Sequence, residues 1–193
     1  IFLIAGHDTT GYTLAWILIE VARRPQIAEK MREELDKANP ERKFFTRGQL
    51  SSLVYLNWVI KEGLRLWPVA ATSAVRQAMQ DIPCPGGFTI PAGSTVSVSN
   101  FAMHRSGISQ PDEFIPERWD EKNKEIERLK TIYRPFSTGL RRCVGENLAM
   151  VELRLMLATL VQRYEWEILQ EPRPQFYLTT KPEGAEVRMR LRQ

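Results

Sequence analysis

Residues 136–145 read Phe-Ser-Thr-Gly-Leu-Arg-Arg-Cys-Val-Gly, and the chemistry of the chain concentrates there. Cys143 lies just ahead of a segment with helical periodicity. A helix N-terminus offers free N–H groups and a partial positive charge, and both favour a thiolate over a thiol. Arg141 and Arg142 add positive charge beside it. Gly139 and Gly145 allow a tight loop and a close approach of backbone to a flat ligand. Such a cysteine is open to three uses. It can be a small buried hydrophobe. It can be a nucleophile, but that needs a histidine base, and only His7 and His104 exist. It can be a metal ligand. A structural zinc site would want four ligands at familiar spacing, and those are absent. A haem iron needs a single thiolate, because the porphyrin supplies four donors. The loop alone leaves the structural cysteine and the haem ligand both open.

Two further groups of residues carry chemistry. Glu62 and Arg65 stand at i and i+3 on a run whose other members are almost all apolar, so they are neighbours on a helix without a polar face. Buried charges are costly unless paired and hydrogen-bonded. The bland alternative is a surface pair worth little, and the apolar surroundings argue against it. A third partner is needed, and Arg118 in Pro116-Glu117-Arg118-Trp119 is a candidate that physics alone does not select. The other group is Ala5-Gly6-His7-Asp8-Thr9-Thr10, placed mid-helix. A glycine there costs roughly 1 kcal/mol against alanine, which asks for a reason. Small residues at 5 and 6 leave room beside the helix, and a threonine hydroxyl can bond the carbonyl four residues back and bend the axis. Either the helix is kinked for packing, or it forms a groove in which an acid and a hydroxyl deliver protons to a small ligand.

The elements that position these residues are mostly helices. Residues 1 to about 22 read as a long apolar helix. Pro25 suits the first turn of a second, with Ala28, Met31, Leu35 and Ala38 at helical spacing and Asn39-Pro40 as its stop. Residues 53 to 67 read as a buried helix, apolar all round and ended by Pro68. Gly86-Gly87 and Pro91-Ala92-Gly93 are turns between short β-prone runs at 88–90 and 95–99, which suggests a small sheet. Residues 101–142 read mostly as loop, with a solvated helix or meander at 120–130. Residues 146–163 form the last strong helix, with Ala149, Leu153, Met156 and Leu160 as its buried stripe. The tail alternates Val187, Met189 and Leu191 with charged residues, a half-buried strand turned back through Pro182-Glu183-Gly184.

The bulk properties remove other classes. With 193 residues, the chain can build one sizeable core. A net charge of +4 without a long basic run or basic-aromatic interleaving argues against nucleic acid. Cys84 and Cys143 could form one bridge, but two cysteines make no disulfide framework, and a reducing compartment is expected. His7 and Asp8 interrupt the opening apolar run, so it is not read as a membrane span. The chain opens on Ile1-Phe2-Leu3-Ile4 with no capping residue, and it is read as a fragment that begins inside a helix.

Together these residues resemble the cytochrome P-450 superfamily. Ala5 to Thr10 are similar to its distal-helix signature, Glu62-Gly63-Leu64-Arg65 to its Glu-x-x-Arg helix, Pro116 to Trp119 to its Pro-Glu-Arg-aromatic motif, and Phe136 to Gly145 to its Phe-x-x-Gly-x-Arg-x-Cys-x-Gly haem loop. The resemblance implies a mainly α fold with small β-sheets, residues 1–193 being the C-terminal haem-binding portion of a single catalytic domain. It implies haem b (iron protoporphyrin IX) with Cys143 as the thiolate ligand. Phe136 would shield the thiolate, and Arg141 and Arg76 would meet the propionates. Gly139, Gly145 and Ala149 would complete the cofactor contacts. Glu62, Arg65 and Arg118 would form a structural triad. Asp8 and Thr9 would manage proton delivery, and Ala5, Ala71 and Thr72 would line the substrate pocket. Cys84 has no role in the pattern. The implied activity is a monooxygenase that inserts one atom of O2 into a small apolar organic substrate. It would take electrons from an NADPH-linked flavoprotein reductase or another donor, at the cytoplasmic face of the endoplasmic reticulum through an N-terminal anchor. The alternatives are a relative that uses or rearranges peroxides, against which the acid-threonine pair argues, and an inactive truncated fragment.

Overall fold

A computed structural model describes residues 2–192. The described residues are mainly helical with four small two-stranded antiparallel sheets. The core is made where four helices meet: α1 (Phe2–Ala22), α2 (Pro25–Ala38), α4 (Val54–Leu66) and α7 (Glu146–Arg163). Ile17, Met31, Leu35, Leu56, Val59, Ile60, Leu153, Leu157 and Val161 close together there, out of contact with water. Each such side chain contributes roughly 1.5–3 kcal/mol relative to an exposed one.

Helix α2 begins with Pro25 in its first turn, where the missing N–H costs nothing, and Asn39 closes it by donating its N–H to the Leu35 carbonyl at 2.8 Å. A short helix, α3 (Arg47–Ser52), stands where the sequence reading placed no element. Its start is a capping box: Thr46 Oγ1 accepts from the Gln49 N–H, and Gln49 Oε1 accepts from the Thr46 N–H. Helix α4 runs as expected but is not apolar all round. Tyr55, Asn57, Trp58 and Lys61 form a half-buried face and Val54 is exposed. Its buried face fits α1 closely at Gly63, where an added Cβ would overlap Ile17 Cγ1 and lie 2.9 Å from Ile17 Cδ1. Gly63→Ala is therefore expected to destabilise the protein by about 1–3 kcal/mol, as overpacked cores do. Urea unfolding checks it, and an unchanged midpoint would show that α1 and α4 can separate freely.

Between α4 and α7 the chain makes the small sheets and a long meander. Strand β1 (Arg76–Gln77) pairs with β4 (Thr95–Val96), and β2 (Ile82–Pro83) with β3 (Thr89–Ile90). Gly86 and Gly87, at φ +96° and +83°, make the turn between β2 and β3. The meander holds α5 (Asn100–Met103), a 3-10 turn at Pro116–Trp119 and α6 (Ile126–Ile132). The segment 120–130 is a turn followed by the start of α6 and is largely open to water as expected, apart from Ile126 and Leu129. Ile126, Leu129 and Ile132, one turn apart, are buried, the first two beside Trp119 and Tyr133, while the charged residues between them face water.

Two more corrections concern the C-terminal part. The buried stripe of α7 is Leu153, Leu157 and Val161, and Met156 is 46 % exposed. Both 3- and 4-residue steps were available in the sequence, and packing on α1, α2 and α4 selects the 4-residue row. In the tail, β5 (Tyr164–Gln170) pairs with β8 (Glu186–Leu191), and β6 (Arg173–Phe176) with β7 (Thr180–Glu183). Strand β8 exists, but no layer covers it, and Val187, Met189 and Leu191 are 42–72 % exposed. Pro182 and Glu183 lie within β7 and are not the turn; Gly184, at φ +74°, follows it.

Candidate functional site

The charged pair on α4 is the most completely buried polar cluster. Glu62 and Arg65 have no exposure and Arg118 has 2 %. Arg65 donates to both Glu62 oxygens, from Nε at 2.9 Å and Nη2 at 2.8 Å. Glu62 also accepts from Arg118 Nε at 3.3 Å, the Ile115 N–H at 3.0 Å and Trp119 Nε1 at 3.1 Å. Both guanidinium groups also bind backbone, and Arg118 Nη1 lies 3.6 Å from Glu125 Oε2. Arg65 donates to the carbonyls of Pro111 and Glu113, and Arg118 to those of Ser109 and Gln110. One carboxylate thus gathers the end of α4 and the whole 109–119 meander. The indole of Trp119 is a member of this cluster that sequence reasoning missed, although it ends the quoted motif.

The Cys143 loop follows this cluster. Cys143 stands two residues before Gly145, the N-cap of α7, and its thiol is free and exposed. Its N–H donates to the Phe136 carbonyl at 2.9 Å, which closes the loop on itself, and Phe136 packs half-buried against the main core. Gly139 has φ +72°, which favours glycine. Gly145 takes φ −85°, ψ 0°, open to any residue, so the tight-loop reading does not apply to it. A Cβ there would stand 3.9 Å from Cys143 Sγ. Ala149 closes the first turn of α7 by donating its N–H to the Gly145 carbonyl. Arg141 is exposed, and Arg142 is bound to Glu146 in that first turn, with Nε and Oε2 2.6 Å apart. This pairing raises the Arg142 pKa, and its charge is shared with Glu146 as well as the thiol. Leu140, Val144 and Leu148 are exposed beside Cys143. An open thiol at a helix start, amid apolar side chains, fits a flat apolar macrocycle bound through its metal. Beside the loop lies an open groove of about 600 Å³, with Arg47, Lys61, Arg134, Phe136, Arg142 and Arg154 in its wall.

Thr9 and Asp8 sit on α1, which packs on α7. Thr9 Oγ1 donates to the Ala5 carbonyl at 2.6 Å, and Thr13 Oγ1 repeats the pattern to the Thr9 carbonyl at 2.7 Å. Ala5 is exposed, and nothing beyond the adjoining residues and the helix's own backbone lies within 4 Å of where a Gly6 Cβ would be, so this face of the helix is open. Asp8 Oδ1 is 2.9 Å from His7 Nδ1, a partner sequence reasoning did not foresee. Arg76 is exposed in β1 opposite Val96. Thr72 bridges to Ser99, and the Ala71 carbonyl accepts from the Phe101 N–H. Thr180 ties this segment to α1. Its N–H donates to the Val69 carbonyl, and its own carbonyl accepts from Trp16 Nε1.

The Cytochrome P450 family model matches residues 1–189. This chain belongs to the cytochrome P450 family. It is 36% identical over 173 residues to cytochrome P450 3A17 of Cavia porcellus, covering 88% of this chain and 34% of that protein. It is 35% identical over 169 residues to oryzalexin D synthase of Oryza sativa subsp. japonica, covering 86% of this chain and 34% of that protein. A crystal structure of a cytochrome P450, CYP102L1, superposes with a TM-score of 0.88 at 35% identity and covers all of this chain and 44% of its own. The chain spans about a third of the length of these curated relatives. Its helices and small sheets are those of a C-terminal part of the P450 fold, and the family implies a haem cofactor.

Proposed function

We propose that these 193 residues are the haem-binding portion of a single catalytic domain of a haem-thiolate monooxygenase. One oxygen atom of O2 enters a small apolar organic substrate, and the other leaves as water, with two electrons and two protons consumed. The observation that carries the reading is the exposed Cys143 thiol, fixed by the Phe136 carbonyl ahead of α7 and flanked by apolar side chains. Cys143 holds the iron of haem b, whose bound chemistry is oxygen activation. Phe136, Gly139, Gly145 and Ala149 border the thiolate side, and Arg141 and Arg76 bind the propionates. Ala5, Ala71 and Thr72 face the substrate. Asp8 and Thr9 hold and pass protons, the threonine from an oxygen already anchored to the Ala5 carbonyl.

Electrons come from an NADPH-linked flavoprotein reductase or a comparable donor. Arg47, Lys61, Arg134 and Arg154 line the groove beside the Cys143 loop and have no ion pair among the described residues, which suits an acidic partner. The setting is the cytoplasmic face of the endoplasmic reticulum, a reading that rests on the similarity to mammalian cytochromes P450 3A. No described helix is long and apolar enough to cross a membrane.

Thr9→Ala in the full-length enzyme tests the reaction class. Haem and substrate binding are expected to persist, since the hydroxyl's one hydrogen bond among the described residues is to a helix carbonyl four residues back. Reduced cofactor is expected to be consumed with release of peroxide in place of product. Product and peroxide are measured together against cofactor used. Unchanged coupling would remove Thr9 from the proton route. Turnover of peroxides without any reductase would favour a peroxide-using relative instead.

A further inference from the structure

His104 is fully buried and has no place in the reaction described above. It caps α5, its own N–H bonding the Asn100 carbonyl. Its ring stands between two stretches of backbone that are distant in sequence. Nε2 lies 3.0 Å from the Arg134 backbone nitrogen, and Nδ1 lies 3.3 Å from the Arg65 carbonyl oxygen.

The two partners settle the tautomer. A backbone N–H can only donate, so Nε2 is the acceptor. A carbonyl can only accept, so the ring proton is on Nδ1. An imidazolium would carry a proton at both nitrogens and lose the Arg134 contact. Burial pushes the pKa of His104 down to about 4, and the positive charges of Arg65 and Arg105 act in the same direction. The ring therefore stays neutral and the bridge persists at ordinary pH.

What the bridge connects is specific. Arg65 is the buried arginine of the triad, near the end of α4. Arg134 opens the segment that leads to Cys143. From Arg134 the bonds continue: its carbonyl accepts from the Ser137 N–H at 3.1 Å, and the Phe136 carbonyl accepts from the Cys143 N–H at 2.9 Å. Ser137 takes φ +61°, uncommon for a residue with a Cβ, so the loop is held in a conformation it would not choose alone. The adjacent Tyr133 ring is 5.6 Å from the His104 ring and 4.6 Å from Trp119, whose indole binds Glu62.

We propose that His104 is a positioning residue for the Cys143 loop, its neutral ring linking the Arg65 carbonyl to the Arg134 N–H. It touches neither substrate nor thiol and acts through the loop backbone. The inference rests on Cys143 as the thiolate ligand only for its consequence at the haem; the brace itself is a property of the backbone.

Two replacements separate the halves of the bridge in the full-length protein. Gln places an acceptor near the position of Nε2, so His104→Gln keeps the Arg134 contact. Asn places a donor near the position of Nδ1 and nothing beyond it, so His104→Asn keeps only the Arg65 contact. Hydrogen exchange of peptides spanning 133–138 is followed by mass spectrometry, alongside the time for which the reduced protein retains its thiolate-type carbon monoxide band. His104→Asn is expected to exchange about tenfold faster in this segment, the change that loss of one buried partner produces, and to lose the band sooner. His104→Gln is expected to stay near the parent in both. Equal behaviour of the two variants, whether both parental or both failing, would overturn the brace. A parent without the thiolate-type band would overturn the ligand assignment and leave the exchange result to decide the brace.

Discussion

Glu62→Ala is expected to prevent haem-loaded protein from accumulating. The carboxylate accepts bonds from Arg65, Arg118 and Trp119, all away from water, and from the half-buried Ile115 N–H. Its removal leaves the Arg65 guanidinium buried with no counter-charge, and leaves Arg118 with only Glu125, 3.6 Å from its Nη1. Breaking a buried pair in this way costs about 3–5 kcal/mol, a large share of the about 5–15 kcal/mol by which domains are stable. Arg65→Ala is expected to do the same, because the carbonyls of Pro111 and Glu113 lose their donors along with Glu62. The Arg188–Glu167 pair is the internal comparison. Both side chains are about half exposed, so Arg188→Ala is expected to change stability by no more than about 1 kcal/mol. Haem content per purified chain and urea unfolding measure the difference. Parental haem loading in Glu62→Ala and Arg65→Ala would mean that the cluster is hydrated.

What could be read in advance depended on how local the cause was. The Glu62–Arg65 pair follows from two charges one turn apart in an apolar run, and the Thr9–Ala5 bond follows from a hydroxyl on a helix. Arg118 is different. It reaches Glu62 across 56 positions because the carbonyls of Ser109 and Gln110 hold it there, and no periodicity encodes that. The capping box at Thr46 and Gln49 is legible as a Thr followed three residues later by Gln. The alternation of β8 announces a strand, yet alternation says only which side chains share a face, not whether anything covers them. The stripe of α7 was misplaced for a related reason: Met156 and Leu157 are both apolar, and only the packing partners distinguish them. His104 carries no sequence signal for its role, since its two partners are main-chain groups at Arg65 and Arg134.

The second large effect concerns Cys143. Its backbone N–H holds the Phe136 carbonyl whatever the side chain is, so Cys143→Ala keeps the loop closed. The thiol is exposed, so its loss opens no cavity in the core and costs the fold little. What it removes is the sulfur that would bind iron. Cys84 is the control within the same chain. It is half-buried after β2, and its sulfur lies 3.6 Å from the Ile82 carbonyl in an exposed hairpin. It is not in the haem-loop motif, and Cys84→Ala is expected to leave the haem environment as it is.

The carbon monoxide difference spectrum of the reduced full-length protein is the most direct measurement. The parent and Cys84→Ala are expected to show the thiolate-type band, and Cys143→Ala is expected to show none. A normal thiolate-type band in Cys143→Ala would contradict the assignment of Cys143 as the haem ligand.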